Sequence, residues 1–126
     1  MSLKNLFLVK AILSLIFGLS FIFFTALSMD FFGVMEIRAA GVLMGRLLGG
    51  TLVGMAVIAW YAQALDADAG RSAIVNGFIV TDLLGFVITL LAVLDGVINA
   101  IGWISVVVYL ILAIGFIYYQ YIQTGD

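Results

Sequence analysis

Asp82, Arg46 and Tyr109 each fall well inside a long apolar run of the sequence, where an ionisable side chain is a functional hypothesis by default. A charge in hydrocarbon costs several kcal/mol, so such residues face protein or water and find a polar partner. Asp82 has Phe78 and Phe86 one turn to either side and no neighbour in sequence that neutralises it. It must be protonated, paired with a cation, or hydrogen-bonded to hydroxyls. Arg46 lies roughly 10 Å into its run at 1.5 Å per residue, and Gly45, Gly49 and Gly50 beside it leave room for another helix. The expectation is a guanidinium that points inward. With Tyr109 at a depth similar to Asp82, the three predict an Arg46–Asp82–Tyr109 cluster. Such a cluster can be a clasp that fixes helix register, a proton or ion relay, or the polar floor of a small ligand pocket. Asn76, Asn99, Asp95 and Ser105 can extend it toward either boundary. Lys10, about two turns into the first run, is expected to snorkel to the interface.

What the composition lacks narrows the chemistry further. The chain has no histidine, no cysteine and no proline, so the usual haem ligands, thiolate clusters and structural zinc sites are excluded. Neither a metal site nor a cofactor is expected. Five basic residues and a formal charge of −2 give no footprint for nucleic acid, which requires clustered Lys and Arg. No nucleophile sits beside a base, and no glycine-rich phosphate loop joins a strand to a helix. The expectation is that the chain is not an enzyme on its own.

These residues must be positioned by membrane helices. Of the 126 residues, 66% are apolar and 10% are charged, where a soluble domain is about half apolar and a quarter charged. About 20 apolar residues cross a hydrocarbon core of about 30 Å. Four stretches are long enough: about 5–28, 39–62, 72–94 and 97–119. The runs are continuous and do not alternate with period two, which argues against a barrel. The fold expected over 1–126 is one all-α domain, an up-down antiparallel bundle of four transmembrane helices. The first run exceeds the roughly 7–15 residues of a signal-peptide core, so a retained helix is expected. The segment 29–38 mixes Phe31, Phe32, Val34, Met35 and Ile37 with charges, and is expected as an interfacial amphipathic piece or a plain loop.

Lys4, Lys10 and Arg71 share one side and Arg38 flanks the other, which places both termini in the cytoplasm. The expected location is a bacterial inner membrane. Trp60, Tyr61, Tyr118, Tyr119 and Tyr121 are expected to anchor the cytoplasmic interface and Trp103 the outer one.

Lipid tails are as apolar as leucine, so helices in a membrane associate through small residues and interhelical hydrogen bonds. Gly41, Gly45 and Gly49, continued by Gly50 and Gly54, form a stripe on the second span. Gly77, Thr81, Gly85 and Thr89 do the same on the third, and Ser14, Gly18 and Thr25 form a looser strip on the first. Spans one to three are expected to pack closely, through these stripes or with one stripe reserved for a second chain.

The segments Ala40–Gly49 (AGVLMGRLLG) and Gly96–Trp103 (GVINAIGW), with Arg71-Ser72-Ala73-Ile74-Val75 and Asp82-Leu83-Leu84-Gly85-Phe86, resemble a widespread group of small bacterial four-helix membrane proteins. That resemblance implies a fold and no activity. In size, helix count and the arginine among glycines of span two, the chain is also similar to DoxX-like proteins, some of which are linked to quinone or sulfur oxidation complexes. Small multidrug transporters are similar in size, but carry an essential acid in their first span, where this chain has Lys10.

Three functions follow as expectations. First is an accessory or assembly subunit of a larger membrane complex, suited to the small size, short loops and glycine faces. Second is a homo-oligomeric transporter or channel built on an Arg46/Asp82 pair. Third is a lipid- or quinone-binding protein with a groove lined by phenylalanines such as Phe21, Phe24, Phe78 and Phe86. Membrane lipids, other membrane subunits or further copies of the chain are the partners expected.

Overall fold

A computed structural model describes residues 2–123. The element order is α1 (Leu3–Phe23), α2 (Thr25–Phe31), α3 (Ala39–Ala62), α4 (Ala69–Leu94) and α5 (Gly102–Ile117), with a closing π-helical turn at Tyr118–Ile122. There is no strand among the described residues. Four helices are long and apolar enough to cross a membrane: α1, α3, α4, and α5 continued through the π turn. The protein is an all-helical four-span bundle.

Local chemistry sets the helix ends. Ser2 accepts a hydrogen bond from the Asn5 N–H at 3.2 Å and caps α1. Asp68 accepts one from the Arg71 N–H at 2.9 Å, so α4 starts at Ala69, earlier than the apolar run alone indicates. At the opposite end of the bundle, α2 and α4 both finish in Schellman motifs with a left-handed glycine, Gly33 at φ 76° and Gly96 at φ 75°. The Val34 N–H reaches the Met29 carbonyl at 3.0 Å, and the Val97 N–H reaches that of Ala92 at 2.9 Å. Asn99 ties these turns together. Its backbone N–H donates to the Phe32 carbonyl at 2.7 Å and its side-chain amide to the Phe31 carbonyl at 3.1 Å.

The expected first span, 5–28, is broken at Phe24 (φ −128°, ψ 47°), and the helix restarts as α2. No proline causes this. The Ser28 hydroxyl donates to the Ser20 carbonyl at 3.1 Å and the Thr25 hydroxyl to the Phe21 carbonyl at 2.5 Å. Hydroxyls bonded to backbone carbonyls compete with the helix ladder and bend it. The interfacial piece expected over 29–38 is therefore split: α2 ends at Phe31, and the chain from 32 to 38 is not helical.

Backbones come closest within two pairs, α1 with α3 and α4 with α5, while the remaining pairs meet mainly through side chains. Gly18 and Gly49 are the point of closest approach in the first pair. A Cβ on Gly49 would stand 2.6 Å from the Gly18 carbonyl oxygen, and one on Gly18 2.9 Å from that of Gly49. Gly45 accommodates Thr25 and Met29, and Gly85 accommodates the ring of Tyr109. By contrast Gly41, Gly50, Gly54 and Gly77 face open space, so the stripe on α3 is only half used inside the bundle. The third span, α4, does not join α1 and α3 in close backbone packing and pairs with α5 instead.

The core occupies the half of the bundle nearest the termini. Leu3, Leu6, Phe7 and Ala11 of α1 meet Ala59 and Ala62 of α3, Val75, Phe78 and Ile79 of α4, and Leu112 and Phe116 of α5. Phe7, Phe78 and Phe116 form a triangle with ring centroids 5.5–6.2 Å apart. Trp60, Tyr61, Tyr118 and Tyr121 are exposed at this end and Trp103 at the other, with Tyr119 partly buried.

Candidate functional site: a buried ion pair beneath an apolar cavity

Residues 3, 6, 7, 10, 11, 14 and 18 of α1 recur at helical spacing and all are buried, so the stripe that holds Leu3 and Phe7 also carries Lys10 into the interior. The Lys10 ammonium forms a hydrogen-bonded ion pair with Asp82 at the middle of α4. Lys10 is 2% exposed and Asp82 0%. Lys10 Nζ also lies 5.2 Å from the centroid of Phe78, within cation–π range. The aromatic triangle thus forms the dry layer below the pair. One carboxylate oxygen of Asp82, Oδ1, is taken by Lys10; the other, Oδ2, is buried without a hydrogen-bond partner among the described residues.

Two expectations are corrected here. Lys10 does not snorkel, because its helix face points to the core. Arg46 does not pair with Asp82, because it is exposed on the outside of α3. The physical reason is a rotation of about 100° per residue: Gly45 and Gly49 lie against α1, and one step further round turns Arg46 away from the bundle. No acidic partner of Arg46 occurs among the described residues. Of the expected cluster, Asp82 and Tyr109 remain interior, and the cation is Lys10.

Above the pair, in the half of the bundle away from the termini, the helices form a partly open cavity of about 280 Å³. Its walls are mostly apolar, with Phe17, Phe21, Met29, Phe32, Leu48 and Leu52 among them, and α4 contributes Thr89. Its polar groups are Lys10, Ser14, Thr89, Ser105 and Tyr109. The Thr89 hydroxyl is occupied by the Gly85 and Phe86 carbonyls at 2.7 and 3.3 Å. No side-chain hydrogen bond from Ser14, Ser105 or Tyr109 occurs among the described residues. A ring at position 109 is accommodated because position 85 has no side chain.

Sequence reasoning missed Lys10, although a signal was present: it stands one turn before Ser14 and two before Gly18, on the strip that faces inward. Compared with known proteins, the chain matches no family model, no curated protein and no solved structure.

Proposed function

We propose that this protein binds a small lipid-soluble molecule inside its membrane bundle. The observation that carries the reading is the convergence of Lys10 and three unpaired hydroxyls on one apolar cavity. Ligand sites combine apolar walls with a few placed polar groups. A register clasp needs only the Lys10–Asp82 pair; it gives no reason for Ser14, Ser105 and Tyr109 to gather at its edge. The reading is one of binding and assigns no catalysis. Native mass spectrometry of the protein extracted gently from its own membrane tests it. A lipid-soluble molecule should be retained by the wild type and lost from Ser105→Phe, which drives a ring into the cavity, while helix content stays unchanged. Equal retention by the two proteins, or none by the wild type, overturns the reading.

A second reading, an accessory subunit of a larger membrane complex, is favoured by the outer face of α3. Arg46, Gly50 and Gly54 recur every four residues there, and both glycines are open. A partner helix that carries an acidic residue could approach closely and neutralise the guanidinium. The same mass measurement reports it as a hetero-complex. Transport through an Arg46/Asp82 pair has lost its geometric basis.

We place the protein in a bacterial inner membrane with both termini cytoplasmic. With Lys10 consumed in the interior, the positive-inside bias rests on Lys4 and Arg71 against Arg38. The cysteine-free sequence makes the check direct. In intact cells an impermeant maleimide should label Glu36→Cys and spare Asp66→Cys; the opposite pattern inverts the topology.

A further inference from the structure

Resting on that reading of the cavity, we infer that its ligand carries an uncharged headgroup with hydrogen-bond acceptors, of the ketone or ester class. The charge balance comes first. Lys10 lines the cavity and its ammonium is paired with Asp82, which is not part of the wall, so the cation beside the cavity is already neutralised. An anionic head would share one cation with Asp82 and set two like charges close together in a low-dielectric interior. A cationic head would meet the ammonium itself.

The donor inventory gives the second constraint. An ammonium has three N–H donors and no acceptor, and a hydroxyl can always donate. One Lys10 donor goes to Asp82, which leaves two; Ser14, Ser105 and Tyr109 add three O–H groups. The spare acceptor of the pair, Asp82 Oδ2, is fully buried and Asp82 is not part of the cavity wall. Every polar group left free at this surface can donate, two N–H of Lys10 and three O–H, and the two N–H cannot accept, so a ligand rich in carbonyl oxygen, which accepts only, can engage all of them.

Size and continuity supply the rest. A cavity of roughly 150 Å³ encloses benzene, so about 280 Å³ takes a small head and the first several carbons of a chain. A groove of about 420 Å³ runs between α1 and α2 on the other side of Phe17, Phe21 and Phe32, which line both spaces. Phe21 and Phe32 stack there with centroids 6.5 Å apart and planes 13° from parallel. An alkyl tail has an apolar path beyond that stack.

The test uses the full chain in mild detergent and four probes with tails of nine or ten carbons: methyl decyl ketone, decanoate, decylammonium and decane. Binding is read from the rise in melting temperature with probe concentration. The ketone should bind about tenfold or more tightly than each of the others, the size of effect one or two net hydrogen bonds produce. Tyr109→Phe, which keeps the ring against Gly85, and Ser105→Ala should each weaken ketone binding several-fold and leave any decane binding unchanged. Decanoate or decane binding as tightly as the ketone overturns the headgroup assignment and leaves the cavity reading standing. Failure of all four probes to bind overturns both.

Discussion

Replacement of Asp82 by leucine should destabilise the bundle by about 3–5 kcal/mol, the cost of leaving one member of a buried ion pair alone. Lys10→Met should cost a similar amount for the same reason. The double variant, Lys10→Met with Asp82→Leu, should recover most of the loss, because a well-packed apolar pair in place of a buried ion pair is often neutral or stabilising. Several features point to the upper part of that range. Lys10 is 2% exposed and cannot reach an interface, and among the described residues its other electrostatic contact is the face of Phe78. Water has no short route from the terminal side, where Phe7, Phe78 and Phe116 close the layer below. Unfolding of the four proteins in one detergent, followed by heat and by sodium dodecyl sulfate, measures the cycle. Additive losses in the double variant would mean that the two charges act independently, and the ion pair would cease to explain why either residue is there.

If the double variant folds, it also separates the roles of the pair. Stability would return while Lys10 donors remain absent from the cavity wall, so ligand retention should stay low. A bundle that needed the pair only for register would show no such split.

Much of this architecture is legible in the chain because long apolar runs leave few alternatives. The boundaries of α3 coincide with the expected 39–62, since Arg38 and Gln63 bracket an uninterrupted apolar segment. The break at Phe24 is less visible: it depends on Ser20, Thr25 and Ser28 hydroxyls bonding to backbone carbonyls, and the sequence has neither proline nor glycine there. Asp82 announces itself as a mid-span carboxylate in need of a partner. Which cation answers it depends on helix rotation, and the two candidates are decided by single steps along their helices. Arg46 stands one residue past the Gly45 and Gly49 contact line and turns outward; Lys10 stands on the Leu3, Phe7, Ser14 line and turns inward. The cavity is a property of the separation between helices, set by where glycines permit backbone contact and where Phe17, Phe21 and Phe32 hold them apart. No local pattern records that distance.

The same distinction between used and unused glycines gives the second large effect. Gly49→Ala should lower stability by about 1–3 kcal/mol, the range for overpacking a close contact, and Gly49→Leu should abolish the fold. The new Cβ would lie 2.6 Å from the Gly18 carbonyl oxygen, 2.8 Å from the Ile22 side chain and 3.0 Å from the Ile22 backbone nitrogen. Two of these three atoms are backbone, so relief requires α1 and α3 to separate along the contact that holds them. Gly50→Ala, one residue further round the same helix, meets nothing within 4 Å. It should be neutral or gain up to about 1 kcal/mol from better helix propensity. Helix propensity and hydropathy change identically in the two substitutions, which makes position the sole variable. Melting temperatures of the isolated protein decide it. If Gly49→Ala were as silent as Gly50→Ala, the α1–α3 backbone contact would not be what sets the spacing of the bundle, and the cavity above Lys10 would lose its structural cause. A larger side chain at position 50 then adds a second readout. Gly50→Leu should leave the isolated chain folded, and should dissociate it from a neighbouring subunit if the Arg46–Gly50–Gly54 face is where that subunit docks.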